Sequence, residues 1–381
     1  MKLGLDIFVE HYIDKYKHKR VGLVTNPTGV NKQLVSNIDL FSSKLNLVAL
    51  FSPEHGIRGY VKEGKKVGHT IDEVTGLPIY SLYGDMRKPN KEMLDKLDVV
   101  IFDIQDIGTR YYTFIYTLAY VMEACKEYGK ELVVLDRPNP INGRVVVGNI
   151  VKEDFFSFVG LLPIPTRHGM TIGELAILFN EHFNYDCNLQ VIKMEGWKRD
   201  SYFDELNIPW VSPSPNVTSI SMQILYSGTC LVEGTNLSEG RGTVFPFEVI
   251  GAPFIDARVL ATRFNDLQLD GILARPISFI PTYQKHKNEV CHGVQLHLLD
   301  RNRIKPINVA LKLLEIIYSL YPDKLIFIQS EEDERAFIDL LAGDSKMRAS
   351  IINQEVDIYL ETINRELEDF KEVRKRYLIY D

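Results

Sequence analysis

The residues that could do chemistry stand just beyond short apolar runs. Glu54 sits in Ser52-Pro53-Glu54-His55-Gly56-Ile57-Arg58-Gly59, directly after the run LVALF at 47–51. Proline restricts the approach to Glu54, and Gly56 and Gly59 permit tight turns after it. A carboxyl fixed at the floor of a cleft suits general-acid catalysis, because burial favours the protonated form. His55 beside it could relay a proton or touch a substrate. Asp103 and Asp106 lie three apart beyond a second apolar run, and either could supply a second carboxylate, as could Glu233 in Glu233-Gly234-Thr235-Asn236.

Cationic and hydrogen-bonding residues cluster at the same kind of position. Asn26 follows the run VGLVT at 21–25, Arg110 and the tyrosines Tyr111 and Tyr112 follow Asp106, and Asp136-Arg137 follows ELVVL at 131–135. Tyrosine rings can stack on a sugar. Arg167-His168-Gly169-Met170 precedes a helix start at Thr171, and backbone amides at a helix N-terminus with an arginine beside them form an anion site. Asn216, Asn236 and Arg241 belong to two long polar segments, 210–216 and 233–243, and such segments in a compact domain are usually functional or mobile. The segment at 233–243 has the glycines of a hinged lid. Each residue also has a structural reading. Glu54 could pair with Arg58, Asp103 could cap its turn, Asp106 could pair with Arg110, and His55 could be a hydrogen-bonded scaffold residue.

The elements that must position these groups alternate between strand and helix. Strands are expected at 21–25, 47–51, 98–104, 131–135 and 188–193. Helices are expected at 32–45, at 112–128 closed by Gly129, and from the capping box Thr171-Ile172-Gly173-Glu174 to about 183. Continuously apolar strands separated by helices imply a parallel sheet covered on both faces, an α/β fold. Ligands bind such sheets beyond the carboxyl ends of the strands, which is where the residues above fall. Beyond about residue 256 the pattern changes to strands at 272–280 and 290–299, a helix from Pro306 to Pro322, and a final helix with apolar residues at Val356, Tyr359, Leu360, Ile363, Leu367 and Phe370. The expected division is a catalytic domain over 1–260 and a smaller α+β accessory domain over 261–381.

Composition narrows the function classes. The chain has 381 residues, 45% of them apolar and 25% charged, with a formal charge of −7. A core of that size needs no staples, and the charge argues against a nucleic-acid partner. Cys125, Cys187, Cys230 and Cys291 are far apart and form no CxxC, so buried thiols are expected rather than disulfides or a zinc site. No apolar run reaches 18 residues, and the N-terminus lacks the apolar core of a signal peptide, so a cytoplasmic chain with no membrane span is expected. There is no GxGxxG after the first strand, no GxSxG, no HExxH and no GK[ST] ending, so nucleotide, nucleophile-elbow, zinc-protease and P-loop chemistry find no support. No metal and no cofactor is expected.

Asn26-Pro27-Thr28-Gly29, Pro53-Glu54-His55-Gly56, Asp103-Ile104-Gln105-Asp106-Ile107-Gly108-Thr109-Arg110-Tyr111-Tyr112, Asp136-Arg137-Pro138-Asn139-Pro140, Arg167-His168-Gly169-Met170-Thr171 and Glu233-Gly234-Thr235-Asn236 together resemble the YbbC/NamZ-type family, exo-β-N-acetylmuramidases among the bacterial glycoside hydrolases. The resemblance runs along essentially the whole chain. It implies a Rossmann-like N-terminal domain without a nucleotide cofactor, a smaller C-terminal domain, and release of terminal non-reducing N-acetylmuramic acid from peptidoglycan fragments. It also implies that Glu54 is the key catalytic residue. The chain departs from many relatives in lacking a secretion signal.

The residue reading agrees with that chemistry. Glycoside hydrolysis needs two carboxyl groups across the scissile bond, unless the substrate's own acetamido group serves as nucleophile. The lactyl carboxylate of muramic acid suits a planar arginine, for which Arg110, Arg167 and Arg241 are the first candidates and Arg58 and Arg137 the next. The partner of Glu54, and with it the stereochemical outcome, stays open. The alternatives are a cell-wall sugar-binding module without turnover, and an amidase or esterase acting on muropeptides. Release of muramic acid from a small chromogenic glycoside separates the first from a hydrolase. The missing nucleophile elbow and metal cluster count against the second.

Overall fold

The computed structural model describes residues 1–54, 56–57, 70–84, 86–331 and 334–381. Its centre is a seven-stranded sheet built from β1 (Arg20–Thr25), β2 (Asn46–Ser52), β3 (Thr70–Ile71), β4 (Pro78–Ser81), β5 (Val99–Asp103), β6 (Glu131–Leu135) and β9 (Asn188–Ile192). The order across the sheet is β3-β4-β2-β1-β5-β6-β9, parallel throughout except for the edge strand β3. Strands β1, β5 and β6 are buried along nearly their whole length, so both faces must be covered. The Phe114–Glu127 and Ile172–Glu181 helices help cover the sheet. On the opposite side the Gly4–His11 and Asn37–Lys44 helices pack Phe8 and Phe41 against Val21, Leu23 and Ile101.

Two short strands, β7 (Val147–Ile150) and β8 (Pro165–Arg167), pair antiparallel beside this sheet. The second lobe carries β10 (Val249–Ala252), β11 (Ile272–Phe279) and β12 (Cys291–Leu298) in the order β10-β12-β11, all antiparallel. It is completed by helices at Ile220–Thr229, Ala257–Asp266, Pro306–Leu320 and Val356–Lys375, with shorter ones between. The four cysteines are buried and unbridged.

The expected strands are present to within a residue or two, and the Thr171 capping box forms with Glu174. The expected helix at 32–45 is confined to Asn37–Lys44, because Asn31 and Ser36 hold the preceding residues in a turn. β4 begins at Pro78 and is only half-buried at an edge, so it carries no continuous apolar signal. β10 lies before the expected boundary at 260 and pairs with β12 in the smaller sheet.

The topological switch lies at β1, where the chain passes first to β2 and later to β5 on its other side. In open sheets this is the usual ligand crevice. Here it is filled. Ile208, Pro209, Trp210 and Val211 close over Gln105 and Arg137, leaving a space of only about 20 Å³.

Candidate active site

A cavity of about 230 Å³ opens beside the filled crevice, between the carboxyl ends of β2 and β5 and the second lobe. β2 delivers Glu54 through a turn in which the Gly56 N–H donates to the Pro53 carbonyl at 3.2 Å, and Gly56 has φ +74°. That left-handed conformation is open to glycine at little cost. From β5 the chain runs through Tyr111 and Tyr112 to Thr113, the N-cap of the Phe114–Glu127 helix. The Thr113 hydroxyl makes no capping bond and instead donates to Glu54 Oε2 at 3.3 Å. The helix has no acidic residue in its first turn, so its positive end faces the cavity without a carboxylate of its own.

The second lobe supplies the opposite wall. Glu233 lies in the 3-10 turn Cys230–Gly234 that follows the Ile220–Thr229 helix. Gly234 permits this placement, since a Cβ there would stand 2.5 Å from the Ile338 backbone. Arg241 donates to Glu233 Oε1 at 2.8 Å and also lies 3.2 Å from Glu239 Oε1, while Lys285 Nζ lies 3.0 Å from Glu239 Oε2. Burial, reinforced by the nearby Glu239 charge, pushes the Glu233 carboxyl above the usual glutamate range, although Arg241 and Lys285 pull the other way. Burial also pushes the Tyr112 phenol well above its ordinary value, and Glu54 and Asp106 add to the effect. Tyr112 therefore keeps its proton. The Arg241 guanidinium lies over the Phe247 ring, 5.0 Å from its centroid.

Of the residues singled out in the sequence, Glu54, Tyr111, Tyr112, Asn216, Glu233 and Arg241 meet on this cavity. The Asn216 side-chain oxygen accepts from the Tyr283 hydroxyl at 3.0 Å. His55 and Arg58 lie outside the described residues. The other candidates are engaged with protein partners away from the cavity wall. Asp103 is fully buried and receives Arg137 at 2.6 and 3.0 Å and Asn37 at 2.8 Å. Arg110 is also fully buried, and its guanidinium donates to the carbonyls of Asn149, Ile164, Leu341 and Ala342. Arg167 donates to the Ile141 carbonyl. Asn26 ties its own turn through Thr28, and Asn236 bridges Lys324 and Ile326. Asp106 accepts from the Gly108 N–H at 2.7 Å, with His168 Nε2 3.6 Å away, and His168 Nδ1 accepts from the Met170 N–H. That bond leaves the proton of a neutral His168 on Nε2, facing Asp106.

The sequence reading missed Tyr83, Thr113, Phe158, Tyr226 and Phe247 on the cavity wall. Tyr83 follows β4, the strand with no apolar signal. Tyr226 and Phe247 read as ordinary core aromatics. Among the described residues no group of His, Cys, Asp and Glu could hold a metal ion, and no helix is long and apolar enough to cross a membrane.

Two carboxyl groups and an arginine on one small cavity, at the edge of a parallel sheet and under a second lobe, are the layout of a carbohydrate-cleaving hydrolase. Comparison with known proteins makes this specific. The family model described as exo-β-N-acetylmuramidase NamZ, N-terminal, matches residues 21–221, and its C-terminal counterpart matches residues 224–380. The chain belongs to this family. It is 47% identical over 383 residues to the peptidoglycan β-N-acetylmuramidase NamZ of Bacillus subtilis strain 168, covering all of this chain and 91% of that protein. Two crystal structures of DUF1343 family proteins from Bacteroides fragilis NCTC 9343 share the fold. They superpose with TM-scores of 0.91 and 0.77 at 36% and 31% identity, each over 100% of this chain and 99% of the other.

Proposed function

We infer that this chain is a glycoside hydrolase that releases terminal N-acetylmuramic acid from the non-reducing end of peptidoglycan fragments. Family membership over both domains supports the activity. The observation that carries the mechanism is that Glu54 and Glu233 reach one cavity from different lobes. Glu54, held by the β2 turn and by Thr113, acts as general acid on the glycosidic oxygen. Glu233 is the second carboxyl group, either activating water or orienting the substrate's acetamido group as nucleophile. Asp103 is a poorer partner, because its oxygens are engaged by Arg137 and Asn37.

Arg241 recognises the lactyl carboxylate. Among the arginines first considered for this role, Arg110 and Arg167 are buried on backbone carbonyls, whereas Arg241 lines the cavity. The substrate is a muramic acid-terminated peptidoglycan fragment. The test is incubation with the disaccharide N-acetylmuramyl-β-1,4-N-acetylglucosamine. Free N-acetylmuramic acid supports the reading, and an unchanged disaccharide at enzyme-stoichiometric concentrations overturns it.

A further inference from the structure

Past Glu233 the cleft widens into a second chamber of about 700 Å³. The two chambers share Tyr83, Phe158, Val159, Glu233 and Arg241, so Glu233 stands at their junction. The outer chamber has an aromatic side. Phe156 is 36% exposed, unusually open for a phenyl ring, and it belongs to no core cluster of the described residues. The Phe158 side chain is partly buried, with the Arg87 guanidinium over its ring at 4.0 Å and the Tyr83 ring 5.8 Å away. Tyr120 and Phe337 extend the same lining.

The fixed charges of this chamber are largely matched. Arg241 pairs with Glu233 and Glu239, and Lys285 pairs with Glu239. A chamber with balanced charge and open aromatic faces suits a neutral ligand with an apolar ring face, which describes a pyranose. It suits an acidic peptide less well.

We propose that the outer chamber binds the leaving-side sugar chain, with Phe156 and Phe158 as its stacking platform and a neutral 2-acetamido sugar in first place. The proposal rests on the glycosidase reading above. With the terminal sugar in the inner cavity between Glu54 and Glu233, every later sugar passes the junction into the outer chamber. The enzyme then gains transition-state stabilisation from sugars that do not react.

The experiment compares three substrates by kcat/KM. These are the β-fluoride of N-acetylmuramic acid, whose leaving group is one atom, the β-1,4-linked disaccharide, and the tetrasaccharide extended on the leaving side. Wild type should prefer the longer substrates. Phe156→Ala should lower the ratio of tetrasaccharide to fluoride by about 2- to 12-fold, the worth of one aromatic contact, and Phe156→Tyr should restore it. Phe156 is exposed, so folding should not confound the result. An unchanged ratio in Phe156→Ala, or no gain with chain length in wild type, overturns the proposal while leaving the glycosidase reading intact. Preference for a leaving group bearing a peptide stem overturns it in favour of peptide recognition. Failure of wild type on all three substrates overturns the glycosidase reading and this proposal with it.

Discussion

At the residue scale, Arg241 is held on the second-lobe wall of the cavity. It contacts Glu233 and Glu239 and stacks on Phe247, so its position is set before any substrate arrives. A guanidinium held this way can meet a third, substrate carboxylate without losing much side-chain freedom. N-acetylmuramic and N-acetylglucosamine glycosides differ by the lactyl ether that Arg241 is assigned to read. A charge-assisted contact of about 1.5–3 kcal/mol corresponds to a preference of roughly 10–150-fold. Arg241→Ala should narrow the kcat/KM ratio of the two chromogenic glycosides by about that factor. A ratio left unchanged would move lactyl recognition to shape or backbone amides. Glu233 makes a separate prediction. Its carboxyl titrates above an ordinary glutamate, so a step that needs it ionised should lose rate on the acid side at a higher pH than usual. Glu233→Gln should remove that acid limb from the kcat/KM profile. An acid limb that survives the substitution belongs to another group.

At the scale of elements, the C-terminal segment is anchored on the carboxyl edge of the sheet. Tyr380 donates to Asp136 Oδ2 at 2.5 Å and accepts from the Met194 N–H at 2.8 Å, while the Ile379 N–H donates to Glu174. Tyr380→Phe should cost about 1–3 kcal/mol of stability, because buried polar partners are left unmatched. Denaturant unfolding would show this, and a loss below about 0.5 kcal/mol would mean that water replaces the hydroxyl. Asp136 itself is pushed up to about 7 by burial, against the donors Tyr380, Gly173 and Thr171. In the unfolded chain an aspartate titrates near 3.9. Between those values the folded state binds the extra proton, so this group's contribution to stability falls as pH rises from about 4 to about 7 and is level above that. Asp136→Asn should flatten the profile of Tm against pH across that window relative to wild type, and an identical slope in both proteins would contradict the assignment.

These elements also show what the sequence made legible. Strands β1, β2, β5 and β6 announce themselves because burial on both faces demands unbroken apolar runs, whereas the edge strand β9 is only partly buried and its sequence mixes Asn188 and Gln190 with Leu189, Val191 and Ile192. The carboxyl ends of the buried strands then point to Glu54, but Gly234, read in the sequence as part of a hinged lid, instead serves a close approach to Ile338. Position along a strand end could not separate Asp103 and Arg137 from Glu54. All three stand at the same edge, and only the fold shows that 208–211 fills the crevice over Arg137 while the cleft beside Glu54 stays open. Arg110 was equally opaque, since its partners are carbonyls more than 30 residues away in the chain.

For the whole molecule, the lobes are tied together by buried cations on backbone carbonyls. Arg110 links β7 to the Leu341 and Ala342 carbonyls, Arg374 reaches those of Gly143 and Gly169, and Asn149 donates to Asp344 at 3.1 Å. A cleft assembled from two lobes keeps its geometry only if such ties hold. Arg110→Met strands several buried carbonyls and should destabilise by about 3 kcal/mol or more in denaturant unfolding. The folded fraction should keep the wild-type KM, since Arg110 does not line the active-site cavity. A stable variant with a raised KM would instead return Arg110 to substrate recognition.

In the proposed mechanism Glu54 is the acid that protonates the departing sugar oxygen. General acid catalysis supplies about 10²–10⁴ in rate, so its removal should be plain in turnover. The direct measurement is kcat of Glu54→Gln on the muramyl disaccharide, with folding checked by circular dichroism and Tm. A normally folded variant with kcat reduced at least about 100-fold is the predicted result. A normally folded variant retaining more than about a tenth of wild-type turnover would contradict it and take the acid role away from Glu54.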